Sequence, residues 1–137
     1  MNNKKMEPKL LRLLDANINR LKEGIRVVED IYRYIFDDKE ISAALKEIRH
    51  RAFINLYKEA LKQRETETDV LRDSIQSELK RDSLEDIVIS NFKRAQESAR
   101  VLEESLKLAD VSESEKFKQI RYELYRLEKV ALAKPSR

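Results

Sequence analysis

The sequence of 137 residues contains no cysteine, one glycine and two prolines. Without cysteine, the chain cannot form disulfides, thiolate nucleophiles or sulfur-ligated metal sites. A sheet protein of this size needs many turn residues, so the scarcity of glycine and proline argues against strands and hairpins of strands. A single glycine, Gly24, cannot build a phosphate-cradling loop, which excludes P-loop and dinucleotide-binding folds.

Long apolar runs are also missing. Charged residues interrupt every apolar stretch, and no signal peptide is visible. We therefore expect a cytoplasmic protein with no membrane segment. The 29 basic and 26 acidic residues are interleaved and give a net charge of +3. Because nucleic-acid backbones bind to basic stripes, this pattern does not favour nucleic acid as a partner.

The residues that are present favour helices. Apolar side chains recur at alternating steps of three and four, and capping signals stand at Asp38, Ser83 and Ser112. The sequence predicts an all-α fold, a four-helix bundle in a single domain (1–137). The helices are expected near Leu10–Phe36, Lys39–Lys62, Ser83–Ala109 and Ser112–Ala133, forming hairpin one (10–62) and hairpin two (83–133) on either side of a polar loop (63–82).

The two predicted hairpins repeat each other. At an offset of 74 positions, six residues of the first helix are identical to their counterparts in the third: Asn17 and Asn91, Arg20 and Arg94, Glu23 and Glu97, Arg26 and Arg100, Val27 and Val101, Glu29 and Glu103. At an offset of 72, the second helices match at Lys46 and Lys118, Ile48 and Ile120, and Arg49 and Arg121. The pattern indicates a duplicated helical hairpin folded about a pseudo-twofold axis.

The polar residues of this repeat are unchanged where core residues differ. Packing tolerates apolar exchanges, so packing alone does not predict the contrast. One interpretation is an exposed ladder of ion pairs between residues three apart, worth about 0.3 kcal/mol per pair. The other is a charged pocket in the bundle, in which Asn17, Arg20, Asn91 and Arg94 line one shared cavity that loop 63–82 partly covers.

Other catalytic constellations are incomplete in this sequence. Glu47 and His50 have the spacing of carboxylate di-iron bundles, but their counterparts are Gln119 and Tyr122, so a di-iron centre is disfavoured. His50 is expected either beside the core or in a pocket wall. Magnesium stays open, because this cation needs only one or two protein carboxylates beside substrate phosphates.

Several separated motifs occur in order between positions 13 and 129. They are Asp15-Ala16-Asn17, Glu23-Gly24, Arg26-Val27, Glu29-Asp30, Arg49-His50, Asn91 to Glu97, Arg100 to Glu104, and Arg121-Tyr122. With these motifs the sequence resembles a small helical family, often fused to the N-terminus of thiamine-phosphate synthase, whose members are hydroxymethylpyrimidine phosphate kinases. The resemblance implies ATP-dependent phosphorylation of hydroxymethylpyrimidine phosphate to the diphosphate in thiamine biosynthesis, with ATP and magnesium as cofactors.

The implied reaction suggests roles for the two polar signatures and the loop between them. Asp69 is the expected acceptor of a substrate proton, while Arg20 and Arg94 are the expected catalytic arginines that clamp phosphates. The asparagines suit a pyrimidine edge, and Glu23 or Glu97 is expected to hold magnesium or orient the arginines. The residues expected to bind substrate are Asn17, Glu23, Arg26, Glu29, Arg49, Arg64, Asn91, Glu97, Arg100, Glu103 and Arg121.

The middle loop departs from the family at two positions. Arg64 and the Asp69-Val70 pair match, but Thr68 and Leu71 replace the glycines that flank that pair. Glycine lets a backbone approach a phosphate closely, so the two replacements affect the catalytic role of the loop. The arginines are intact, and ligand binding can therefore survive where catalysis is lost. The alternative is therefore a non-catalytic module that binds a phosphorylated metabolite or braces a thiamine enzyme; a plain helical interaction protein is a third reading. The sequence leaves open a homodimer and a thiamine-phosphate synthase partner.

Overall fold

Helices form the regular structure of the chain, as the sequence predicts. The structure, a computed structural model, describes residues 7–135, apart from the side chains at 77 and 78, and contains no strand among them. The ends of the predicted domain, 1–6 and 136–137, lie outside the described residues. The elements are α1 (Pro8–Asp30, continued by a π-helical turn at Ile31–Ile35), α2 (Lys39–Arg51), α3 (Tyr57–Leu61), α4 (Gln76–Leu79), α5 (Leu84–Leu106) and α6 (Val111–Ala133).

Helices α1 and α5 form the central pair of the fold. Helices α2 and α3 pack along α1, and α6 packs along α5, whereas α2 and α6 touch each other little. The core follows the predicted apolar seam, with Leu14, Leu21 and Val28 of α1 and Phe92 and Leu102 of α5 almost fully buried. No helix among the described residues is long and apolar enough to cross a membrane.

Two of the three predicted helix caps are confirmed. The backbone N–H of Ile41 donates to Asp38 Oδ1 at 3.0 Å, and that of Asp86 donates to Ser83 Oγ at 3.1 Å. The prediction for α6 is wrong, because Asp110 rather than Ser112 is its N-cap. The helix begins one residue before Ser112, and the Asp110 carboxylate accepts from an N–H of its first turn.

The second predicted helix is interrupted, which corrects the continuous span of 39–62. Helix α2 ends at Arg51, and a break of five residues, 52–56, precedes α3. Within the break, the N–H of Asn55 donates to Glu113 Oε1 at 2.8 Å, and Lys116 Nζ donates to the carbonyl oxygen of Phe53 at 2.6 Å. These contacts with α6 replace helical hydrogen bonds of the broken segment. The loop 63–82 also contains one short helix, α4.

At Gly24 the backbone of α1 lies close to the backbone of α5. A Cβ atom there would lie 3.0 Å from the carbonyl oxygen of Asn91 and 3.3 Å from the backbone nitrogen of Ala95. Because both atoms belong to the backbone, only a movement of the helices makes room for a larger side chain.

We expect Gly24→Leu to lower the free energy of unfolding by about 2 kcal/mol, since overpacking at a tight helix contact forces backbone shifts. Urea denaturation of the purified chain measures this loss. Lys22→Leu introduces the same residue at an exposed position of α1 and serves as the control. Equal stabilities of the two variants would contradict the close approach of α1 and α5.

The buried carboxyl of Glu113 gives a second prediction. One of its oxygens, Oε2, has no hydrogen-bond partner among the described residues, and burial raises the pKa of the carboxyl above its ordinary value. The native state therefore holds this proton more tightly than the unfolded chain does. The resulting stability is present below the ordinary pKa and is lost as the pH rises through the native pKa.

We expect Glu113→Gln to raise the melting temperature at pH 7, because the amide avoids the buried charge. The difference from the wild type should vanish below about pH 4, where the carboxyl is protonated in both states. Melting curves across this pH range measure the effect, with Glu115→Gln, an exposed neighbour, as the control. A variant less stable than the wild type at pH 7 would show that the charged form is favoured in the fold.

Candidate functional site

A charged cavity lies between α1 and the start of the connection that follows α3. Its volume is about 740 Å³, and its walls come from α1, between positions 9 and 23, and from residues 64–70. Five of the residues expected from the sequence line it: Asn17, Arg20, Glu23, Arg64 and Asp69. Residues 64–70 of the predicted loop thus border the cavity together with the first polar signature.

The wall of the cavity is fixed to α1 by two arginines. Nε and Nη2 of Arg64 donate to the two carboxylate oxygens of Asp15, each at 2.8 Å. This hydrogen bonding raises the pKa of the Arg64 guanidinium above its ordinary value. Arg12 Nη2 donates to the carbonyl oxygen of Glu65 at 2.9 Å. Arg64, expected to bind substrate, is thus paired with a carboxylate of the protein.

Sequence reasoning missed Asp15 as a site residue. The carboxylate is 3% exposed and sits on the buried side of α1, next to Leu14 in the chain. The counterpart of Asp15 in the second hairpin is Ile89, so the repeat itself carried the signal: a carboxylate stands where the other copy is apolar. A search for identical residues passes over such a position.

Other groups of the cavity keep free hydrogen-bonding capacity. Among the described residues, Lys9, Arg20 and Glu23 have no hydrogen-bond or ion-pair partner. The side-chain amide of Asn17 donates to the carbonyl oxygen of Leu13 at 2.9 Å, which leaves Oδ1 of the amide as an acceptor. In Asp69, Oδ1 accepts from the N–H of Leu71 at 3.0 Å. The cavity thus presents two cations and two carboxylates to a ligand.

The ion-pair ladder, considered from sequence as an exposed alternative, is incomplete. Arg26 pairs with Asp30 at 3.3 Å, and Arg100 pairs with Glu103 and Glu104, each at 3.0 Å. Arg20 takes part in no such pair with any residue that the structure describes. The ladder of ion pairs therefore does not account for the presence of Arg20 in the signature.

One ion pair holds each hairpin together, and the two pairs are equivalent in the repeat. Arg49 Nε donates to Glu29 Oε1 at 2.7 Å, and Arg121 Nη2 donates to Glu103 Oε1 at 2.9 Å. Both carboxylates are buried, and the hydrogen bond to Glu29 raises the pKa of Arg49. These four residues were expected to bind substrate, yet none lines the cavity. Their contacts join the second helix of each hairpin to the first.

The second copy of the signature does not enter the cavity, which corrects the expectation of one shared site. The amide of Asn91 donates to the carbonyl oxygen of Ile87 at 2.8 Å, as its counterpart does in α1, while Arg94 and Glu97 are exposed on α5. Neither Asn91 nor Arg94 is among the residues that line the cavity. The cavity needs the connection after hairpin one, and the counterpart of Arg64 (64 plus the offset of 72) falls at 136, outside the described residues.

The fold and this cavity define a small all-helical domain with a charged site against its first helix. The chain belongs to the ThiD2 family, which matches residues 12–130. The resemblance seen in the sequence is thereby confirmed at the level of the family.

The chain is also similar to part of several thiamine-phosphate synthases. It is 37% identical over 128 residues to that of Thermosynechococcus vestitus, covering 93% of this chain and 36% of the relative. For Synechococcus sp. (strain CC9605) the identity is 39% over 131 residues (93% and 36%), and for Parasynechococcus marenigrum it is 38% over 133 residues (96% and 38%). The chain thus spans little more than a third of the length of these curated relatives. No solved structure matches it.

The contrast between paired and free residues predicts effects on stability that differ in size. We expect Glu29→Ala and Glu103→Ala each to lower the free energy of unfolding by about 3 kcal/mol, because each leaves a poorly exposed arginine without its partner. Arg20→Ala and Glu23→Ala should change it by less than about 0.5 kcal/mol, since neither residue has a partner to lose. Urea denaturation at pH 7 measures all four. Equal losses in the two groups would mean that the signature is structural throughout.

Proposed function

We propose that the chain phosphorylates hydroxymethylpyrimidine phosphate to the diphosphate, with ATP as the phosphoryl donor, in thiamine biosynthesis. The observation that supports this proposal best is the grouping of Asn17, Arg20, Glu23 and Asp69 around one cavity. Membership of the ThiD2 family and similarity to proteins named thiamine-phosphate synthase support the pathway. In a bundle of this size, a cavity of about 740 Å³ is in the range of small-molecule sites.

The chemistry of the cavity suits phosphoryl transfer, which depends on positioning and on neutralising negative charge. In the proposed reaction Arg20 and Lys9 contact phosphate oxygens, and Asn17 Oδ1 accepts a hydrogen bond from the pyrimidine amine. An oxygen of the acceptor phosphate attacks the γ-phosphorus of ATP, and the bond to the bridging oxygen breaks as ADP leaves. Asp69 takes the proton of a monoprotonated acceptor phosphate through its second oxygen.

Magnesium fits the cavity as a partner of the phosphates. No group of three or more histidine, aspartate or glutamate side chains in the described part of the chain is placed to hold a metal ion. Magnesium keeps several waters and usually takes one or two carboxylates together with substrate phosphates. Glu23 is the carboxylate that would hold it, which leaves the second oxygen of Asp69 for the proton, and the ion would neutralise charge on the transferred group.

The connection does not need glycine for its own conformation at the two replaced positions. Among the described residues, Asp37 is the only non-glycine residue with a positive φ, so Thr68 and Leu71 adopt ordinary backbone conformations. The turn between them is closed by the hydrogen bond from the Leu71 N–H to Asp69. The connection thus forms its turn without glycine.

The second candidate function is a non-catalytic module that binds a phosphorylated metabolite or braces a thiamine enzyme. The observation that favours it is the exposure of the turn: Val70 and Leu71 are 94% and 85% exposed, so Asp69 sits on a segment with little packing. The relatives are much longer than the matched region, which supports a thiamine-phosphate synthase as partner or fused domain. A homodimer is a further proposal that fits a small domain.

We expect the purified chain to convert hydroxymethylpyrimidine phosphate to the diphosphate when ATP and magnesium are supplied, in an assay that couples ADP release to a dye. Arg20→Ala should lower kcat/KM about 10³-fold, because an arginine on a transferring phosphoryl group can contribute that much. Its melting temperature should stay close to that of the wild type.

Two further variants make this assay specific. Arg126→Ala removes an exposed arginine of α6, outside the cavity, and should leave the rate unchanged. Arg94→Ala should lower it less than tenfold, since Arg94 lies outside the cavity. No turnover by the wild type, together with a higher melting temperature in the presence of hydroxymethylpyrimidine phosphate, would favour the binding module.

A further inference from the structure

The contacts that fix the cavity wall are confined to the first hairpin. Asp15 and Arg12, which hold the connection, have the counterparts Ile89 and Asp86, and neither preserves the chemistry. The asparagine, arginine and glutamate that face ligand are present in both hairpins. The residues that hold the cavity wall are thus distinct from the charged residues that the two hairpins share. The second hairpin has no equivalent of these holding residues.

Asp15 is the fixed member of its ion pair. Its side chain is 4% exposed, whereas that of Arg64 is 40% exposed. Both carboxylate oxygens are used, and Asn19 Nδ2 donates to the backbone oxygen of Asp15 at 3.0 Å. A bidentate pair fixes the plane of a guanidinium as well as its distance. Because the carboxylate is held in the packed side of α1, it determines where the arginine lies.

Beyond this pair the connection has few other supports. Glu67 donates its N–H to Glu65 at 2.7 Å, Arg72 pairs with Glu67 at 3.1 Å, and Leu71 donates to Asp69. All of these bonds lie within the segment 65–72. Among the described residues, two contacts link the connection to α1 by hydrogen bonds. One is the pairing of Arg64 with Asp15, and the other is the bond from Arg12 to the carbonyl oxygen of Glu65. The position of the segment over the cavity therefore depends on them.

We propose that Asp15 is a positioning residue. Through Arg64 it holds segment 65–72, which carries Asp69, over the side of α1 that carries Arg20. In this way Asp15 sets the affinity of the cavity for a phosphorylated ligand. The inference rests on the proposed function for the identity of that ligand. The role of Asp15 in this arrangement is indirect, because both of its oxygens accept hydrogen bonds from Arg64.

The absence of cysteine allows a direct test. Val70→Cys and Lys22→Cys, both at exposed positions, carry spin labels, and pulsed electron resonance measures the distance between the segment and α1. The labelled parent should give a narrow distance distribution. Asp15→Asn and Arg64→Gln, each placed in the labelled parent, should broaden it, and the double variant should broaden it no further, because the two residues act as one unit.

The second arm measures the dissociation constant of magnesium ATP by calorimetry with the unlabelled chain. We expect Asp15→Asn and Arg64→Gln each to weaken binding about tenfold, again without additivity. Glu123→Gln is the matched control, since it removes a half-buried ion pair of 2.6 Å with Arg51 outside the cavity. It should lower the melting temperature about as much as Asp15→Asn, with distances and affinity unchanged.

The outcomes separate this inference from the proposed function. An unchanged distance distribution in Asp15→Asn, or a broader one with unchanged affinity, would overturn the inference. If Asp15→Asn fails to fold, Arg64→Gln decides alone, because its side chain is well exposed. A wild type that binds magnesium ATP but transfers no phosphoryl group contradicts the proposed function only. A wild type that binds neither ATP nor hydroxymethylpyrimidine phosphate also contradicts the proposed function. In that case the distances measured in Asp15→Asn still decide whether Asp15 positions the segment.

Discussion

The close contact of α1 with α5 determines the arrangement of the rest of the molecule. At Gly24 the two backbones approach until a single methyl group would touch the carbonyl oxygen of Asn91. Helices α2 and α3 rest on α1, and α6 rests on α5, with little contact between the outer helices. The relative position of the hairpins therefore depends on this contact. Ser98, the counterpart of Gly24, is also small and turns its hydroxyl to the carbonyl oxygen of Arg94 in its own helix.

The polar residues that the two hairpins share divide into two groups by their environment. Glu29 and Glu103 are buried, and a buried carboxylate without a partner is costly, so each requires its arginine. Packing and electrostatics account for their identity in both copies. The other arginine and glutamate of each signature, Arg20 and Glu23 in the first copy, have no such partner within the described part of the chain. Stability does not explain why these are the same in both hairpins; for the first hairpin, a ligand is the reason we propose.

The parts of the fold that the sequence predicted well are those set by local periodicity. The helix seams and the caps at Asp38 and Ser83 depend on residues within one or two turns. The break at 52–56 was missed because apolar spacing continues through it, while Glu113, which accepts from the Asn55 N–H within the break, stands 58 positions further along the chain. In the site, the repeat identified the free charges but also selected the structural ion pairs, since identity alone does not distinguish them. Asp15 was missed because it differs between the copies, and its partner Arg64 is 49 positions away.

A duplicated hairpin carries its charged face twice, whereas the proposed reaction uses two unlike substrates. Identical faces cannot tell a nucleotide from a pyrimidine phosphate, because each offers the same asparagine, arginine and glutamate. The distinction must come from an element that one half has and the other lacks. Segment 64–70 is such an element among the described residues: it closes one side of the cavity on α1, and its fixing residue Asp15 has an apolar counterpart on α5. Discrimination between the substrates is therefore expected to follow this connection rather than the repeated helices.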